Sequence, residues 1–153
     1  MSSSIPADQI VYMAHPLGGD VDSNCVRARA WLRWLMDHEP DTAFCVPWLP
    51  YVDVGRPDEK IGPGAIDPDS LPEYRARCLR DDITIAGVCD GIVLCGGRIS
   101  PGMRMELNEV LRHGGFVADL TNLGVEPPKP EAWPWVAIGP ITIGRDRWDA
   151  SPS

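Results

Sequence analysis

Residues 90–112 read DGIVLCGGRISPGMRMELNEVLR, and this stretch decides the fold. Asp90 to Cys95 is a short apolar run bounded by turn residues, too short for a buried helix and right for a buried strand. Gly96 to Ile99 forms a tight loop. Ser100 then caps a helix that has Pro101 at its first position, where proline's missing N–H costs nothing. Met103, Leu107, Val110 and Leu111 give that helix one apolar stripe. Gly114-Gly115 supplies its C-terminal stop. A strand, a glycine-containing loop and a capped helix make one β-loop-α unit.

Working outward, the unit repeats. Phe116 to Leu120 is the next strand. Upstream, Ser70 opens a helix that runs to about Val88, with Glu73 three residues on as a capping-box partner. Ala43 to Leu49 (AFCVPWL) reads as a strand. Before it, Asp22 or Ser23 caps a helix reaching about Glu39, its stripe made of Cys25, Ala28, Trp31, Leu32, Leu35 and Met36. Gln9 to His15 is the first strand, and a loop with Gly18-Gly19 follows it. Pro50 to Asp69 is a long loop rich in Gly, Pro and Asp, of the kind that usually serves function or is disordered. Trp135 to Ile143 offers a last, edge strand.

The β-α alternation implies an α/β fold, a three-layer flavodoxin-like or Rossmann-like parallel sheet of four to five strands with helices on both faces. The expected organisation is a single domain over 1–153, with its core at 9–121 and a C-terminal extension at 122–153. Ligands of such sheets bind beyond the carboxyl ends of the strands. His15 to Asp20, Trp48 to Asp69, Gly96 to Ser100 and Leu120 to Asn122 should therefore share one rim.

Composition narrows the function. Apolar residues at 44% and charged residues at 24% are ordinary globular values. A net charge of -8 opposes binding to a nucleic-acid polymer, which requires a basic surface. It leaves room for a single nucleotide held at a helix start. The first residues, MSSSIPADQ, lack a basic segment followed by an apolar one, and no apolar run approaches membrane-spanning length, so a cytoplasmic protein with no membrane partner is expected. Five cysteines without CxxC spacing read as reduced structural thiols. Three histidines show no ligand spacing, so neither a metal nor another cofactor is expected.

Three features break the pattern. Asp82 falls in the middle of the stripe Leu71, Tyr74, Cys78, Ile85 and Cys89, whereas Asp81 points elsewhere. A carboxyl group there is either satisfied by backbone at a bend or desolvated, with a raised proton affinity that suits an acid catalyst. Glu106 flanks the stripe of its helix one turn past the start, beside Met103 and Val110. Such a residue is either a plain surface glutamate or a rim carboxylate, and Glu109 serves as a solvent-facing contrast. The segment from Gly96 to Gly102 can hold an anion on backbone N–H groups at the helix start, although it has neither P-loop nor dinucleotide-fingerprint spacing.

Together these residues resemble the nucleoside 2-deoxyribosyltransferase superfamily. The likeness is closest to the 2'-deoxynucleoside 5'-phosphate N-hydrolases and the CMP hydrolases, and it covers about Ile10 to Leu120. Val11-Tyr12-Met13-Ala14-His15-Pro16-Leu17-Gly18-Gly19 matches the family's opening strand and loop. Asp82 precedes Asp90 by the family's spacing, and Ser100 and Glu106 follow at theirs. The resemblance implies Glu106 as nucleophile, Asp82 as the acid serving the departing base and Tyr12 as a positioning group. It implies a 5'-phosphate at Ser100, where the transferases carry Asp. His15, Gly18, Gly19, Trp48, Gly96, Gly97, Gly102 and Met103 complete the expected substrate site. Two departures stand out: His15 replaces a Gly, and Arg104 replaces a second Gly near Glu106. Trp48 and Tyr51 either stack on a base or pack in the core.

The expected function is hydrolysis of the N-glycosidic bond of a nucleoside 5'-monophosphate through a glycosyl-enzyme. The alternatives are a deoxyribosyltransferase that exchanges bases and a nucleotide-sequestering protein without turnover. The resemblance also implies at least a homodimer.

Overall fold

A parallel sheet of four strands, in the order β2-β1-β3-β4, forms the centre of the molecule. The strands are β1 Ile10–Ala14, β2 Ala43–Cys45, β3 Gly91–Leu94 and β4 Phe116–Asp119. This computed structural model describes residues 5, 7–54 and 72–129. The expected cap at Ser70 and the expected edge strand at 135–143 lie outside the described residues.

β1 and β3 are the inner strands, and they read as continuous apolar runs because both of their faces are covered. Val11, Tyr12, Met13 and Ala14 on β1 and Ile92, Val93 and Leu94 on β3 are all fully buried. Their register pairs Tyr12 with Ile92 and Ala14 with Leu94. Asp90 secures the opposite end, where its carboxylate accepts from Ile10 N at 2.8 Å.

Helices connect the strands: α1 Val21–His38, α2 Trp48–Val54, α3 Pro72–Val88 and α4 Pro101–Arg112. The chain steps from β1 outward to β2 through α1. It then returns across β1 to β3 through α3 and continues outward to β4 through α4. Right-handed crossovers put steps in opposite directions on opposite faces, so α1 covers one face and α3 and α4 the other. This three-layer α/β architecture is the one expected. The reversal of direction between β1 and β3 opens a crevice at their carboxyl ends.

Several local expectations are corrected. α1 is capped by Asp20, whose carboxylate accepts from Ser23 N at 3.1 Å; neither Asp22 nor Ser23 is the cap. Its buried face runs through Cys25, Ala28, Trp31, Trp34 and Leu35, while Met36 is exposed. The face is rotated toward Trp34 because two indoles bury more apolar area than a methionine does. The strand expected over Ala43 to Leu49 ends at Cys45, and Trp48 opens the short helix α2. Glu109 is not fully exposed: its side chain lies against Gly87 of α3 and pairs with Arg112 at 2.6 Å and His113 at 3.0 Å. All five cysteines are free thiols, and burial pushes those of Cys45, Cys78, Cys89 and Cys95 above their ordinary value.

Candidate active site

A cavity of about 450 Å³ opens over the crevice, within the usual range for a small-molecule site. The loop after β1, α2, α3 and the start of α4 all contribute to its wall. Of the residues singled out in the sequence, His15, Gly18, Trp48, Asp82, Ser100, Gly102, Met103 and Glu106 line it.

α3 carries Asp82 on the face of Ala86 and Cys89, so the helix presents a carboxyl group where the pattern calls for an apolar residue. Asp82 is 6% exposed, and its Oδ1 has no hydrogen-bond partner among the described residues. Asp81 turns away and pairs with Arg77 at 3.6 Å. α4 carries Glu106 between Met103 and Val110, and it is 7% exposed. The two acids come from different helices and meet in one cavity.

Both acids hold their protons unusually tightly. Burial pushes the Asp82 carboxyl up to about 7; the Asp81 charge adds to this, and Arg75 opposes it. Burial pushes Glu106 up to about 8, with Asp82 adding to the shift and the Tyr12 hydroxyl opposing it. Burial thus favours the proton on each acid, Glu106 included. Two influences act the other way: the Tyr12 hydroxyl stabilises the ionised Glu106, and a cationic sugar would do so far more strongly.

Tyr12 is fully buried in β1 beside Glu106 and does not itself line the cavity. Its hydroxyl makes no hydrogen bond of standard geometry among the described residues, yet it lies close enough to Glu106 to act on that carboxyl's proton affinity. Burial, reinforced by Glu106 and Asp82, drives the phenol far above its ordinary value, so it remains a neutral donor.

At the other side of the cavity, Ser100 Oγ caps α4 by accepting from Met103 N at 3.3 Å. Its hydroxyl proton stays available to a ligand. Met103 closes the cap by accepting from Ser100 N on its sulfur at 3.4 Å. The helix start thus borders the cavity with its positive dipole end.

His15 stacks on Trp48 with ring centroids 6.4 Å apart and planes 18° apart. Its Nδ1 donates to the Pro16 carbonyl at 2.7 Å. Burial lowers its proton affinity, and the Arg27 and Arg98 charges lower it further, so the ring is neutral. Trp48 is anchored by its indole N–H, which donates to Met13 O at 2.9 Å. Trp48 is therefore both a core residue and a wall of the cavity.

Three expected binding glycines do not reach the cavity. Gly96 has φ +95°, and a methyl there would stand 2.7 Å from Pro16 Cδ and 2.9 Å from the His15 ring. It lets the two loops touch. Gly97, at φ +82°, packs against Val125 in the same way, and Gly19 lies outside the lining. The expected rim segment Leu120 to Asn122 does not line the cavity either.

No family model matches the chain, and no curated protein or solved structure matches it. Among the described residues no group of three His, Cys, Asp or Glu could hold a metal ion, and no helix is long and apolar enough to cross a membrane.

The sequence reading missed Arg75 and Arg98, which both line the cavity. A cation on a helix flank or in a loop has no periodic signature that separates it from a solvated surface residue. Arg98 could have been noticed inside the segment from Gly96 to Gly102; Arg75 had no such signal.

Proposed function

We propose that this chain hydrolyses the N-glycosidic bond of a nucleoside 5'-monophosphate. The observation that carries the reading is the meeting of Asp82 and Glu106, two buried acids from different helices, in the cavity bordered by the capped start of α4.

The spacing along α4 supports it. Six residues separate Ser100 from Glu106, a rise of about 9 Å along the helix. Helical side chains lean toward the N-terminus, which brings the Glu106 carboxyl back toward Ser100 and leaves about one sugar between them. A pentose 5-phosphate fits with its phosphate at the helix start and C1' at Glu106.

In the first step a Glu106 oxygen bonds to C1' while the C1'–N bond breaks. The electron pair goes to the base, and the Asp82 carboxyl gives that nitrogen its proton. In the second step a water oxygen bonds to C1', Asp82 takes the water's proton and Glu106 leaves as a carboxylate. The products are free base and pentose 5-phosphate. Each step passes through an oxocarbenium-like state that the adjacent carboxylate stabilises. Tyr12 orients Glu106 by donating toward it. The resemblance to the nucleotide-hydrolysing deoxyribosyltransferases points the same way, on Tyr12, Asp82, Asp90, Ser100 and Glu106.

The test is incubation with ribo- and deoxyribonucleoside 5'-monophosphates of the common bases, scored for free base by chromatography. Release of a base supports the reading. Tight nucleotide binding without release would favour sequestration, and incorporation of an added second base would favour transfer. The reading includes a homodimer, consistent with Met105, which lines the cavity while 46% exposed. Light scattering at a dimer's mass is the expected result.

A further inference from the structure

We infer that Arg75 and Arg98 form a guanidinium clamp for the substrate's phosphate, so that this cavity selects a phosphate-monoester dianion over the matching neutral nucleoside. The inference rests on the proposed function and names residues that its motifs do not contain.

Both side chains line the same cavity as Ser100 and Glu106. They enter from different elements, Arg75 from the first turn of α3 and Arg98 from the loop two residues before Ser100. Both border the cavity on the side of the loop after β1. Arg75 Nη2 stands 3.9 Å from the position that a methyl on Gly18 would take, and the Arg98 charge is felt at His15. A methyl on Gly18 would meet the Arg75 head at ordinary van der Waals distance, so the guanidinium lies directly against this loop.

The charge environment makes the pair conspicuous. The chain has 22 acidic against 14 basic residues. Arg27, Arg33, Arg77 and Arg112 each pair with a carboxylate. Arg75 and Arg98 make no ion pair with any described residue, although the carboxyl groups of Asp82 and Glu106 share their cavity. Two cations at a cavity, without a carboxylate partner among the described residues, suit an anion brought from outside. Guanidinium offers planar, two-pronged donors that match phosphate oxygens, and Ser100 and the helix start supply the remaining donors. The unpartnered Oδ1 of buried Asp82 shows that the cavity is also unsatisfied at its acid end. A ligand positive or proton-accepting at one end and anionic at the other satisfies both ends.

The clamp also bears on the acid. Arg75 alone among nearby cations opposes the proton on Asp82. Once its charge faces a phosphate dianion, that opposition weakens.

The test uses full-length protein carrying Glu106→Gln, which holds substrate without turning it over. Isothermal titration with AMP, GMP, CMP and UMP and with their nucleosides gives the affinity ratio for each base. The expected ratio for the preferred base is about a hundredfold or more in favour of the nucleotide. Adding Arg75→Met or Arg98→Met should lower that ratio about tenfold each and leave nucleoside affinity unchanged. Arg75→Lys and Arg98→Lys should fall in between, which separates lost charge from lost shape. A ratio unmoved by both Met variants, or equal binding of nucleotide and nucleoside, would overturn the clamp even if the wild type releases base. Base release by the wild type tests the proposed function separately, and its absence would overturn that reading instead.

Discussion

Asp82, on α3, and Glu106, on α4, line one cavity, where burial foremost and the Asp82 charge in addition raise the proton affinity of Glu106. On the proposed mechanism this puts a transferable proton in the cavity near neutral pH. Burying two acids also makes the folded state less stable than an apolar pair would.

In the proposed hydrolysis the two acids set the pH dependence of turnover, and the reactive form has one proton, on Asp82, and an ionised Glu106. Below the lower pair value both acids are protonated, and above the higher value neither is. With Asp82 at about 7 and Glu106 at about 8, kcat/KM should follow a narrow bell with its maximum between those values. A profile flat from pH 6 to 9 would contradict the assignment.

Stability should carry the same signature. The ordinary values are 3.8 for Asp82 and 4.5 for Glu106, and both are raised in the folded protein. A group that binds its proton more tightly when folded stabilises fully below its unfolded value, and that contribution is lost as pH rises through the folded value. The Asp82→Asn/Glu106→Gln double variant should therefore match the wild type in thermal midpoint near pH 3. It should exceed the wild type increasingly from pH 5 to 8, and the difference should level off above that. Calorimetry at five pH values decides this, and a constant difference would contradict it.

Ser100 caps α4 and lines the cavity where the proposal puts the phosphate, and substitutions can separate these roles. Ser100→Ala should cost about 1 kcal/mol of stability through the lost cap. Ser100→Asp keeps an equally good cap and favours the helix dipole, so urea midpoints should stay near the wild type. Its carboxylate would face the phosphate, however, and like charges in contact cost several kcal/mol, so nucleotide turnover should fall at least ~10-fold. Equal turnover by wild type and Ser100→Asp would remove the phosphate from the helix start.

Gly96 joins the β3–α4 loop to the loop after β1. Gly96→Ala meets a left-handed φ of +95° and contacts of 2.7 and 2.9 Å with Pro16 and His15. A loss of about 2 kcal/mol in urea unfolding is expected, together with lower activity as His15 leaves its stack on Trp48. A neutral effect on both would show that the two loops are loosely packed.

The fold was legible because each β-α unit keeps its own periodicity and punctuation. The strand read over Asp90 to Cys95 is present as Gly91–Leu94, and the Ser100-Pro101 start and the Gly114-Gly115 stop stand as read. Asp82 was legible for the same reason, since an acid breaking a stripe at 100° per residue is visible without coordinates. α2 was not legible. Pro47 and Pro50 mimic loop punctuation, and seven residues give too little period to separate helix from strand. Gly96 and Gly97 were misread because a positive-φ glycine looks the same in sequence whether it admits a ligand or a neighbouring loop. Trp34 and Met36 exchanged expected places because which flank of a stripe is buried depends on packing against the sheet, which local spacing does not encode.

The central claim is a covalent sugar on Glu106. Wild-type protein mixed with its best nucleotide, acid-quenched within a turnover and digested for mass spectrometry, should show one pentose 5-phosphate adduct on the peptide containing Glu106, and none in Glu106→Gln. Steady release of base by the Glu106→Gln protein at the wild-type rate, with no adduct on either, would contradict the account.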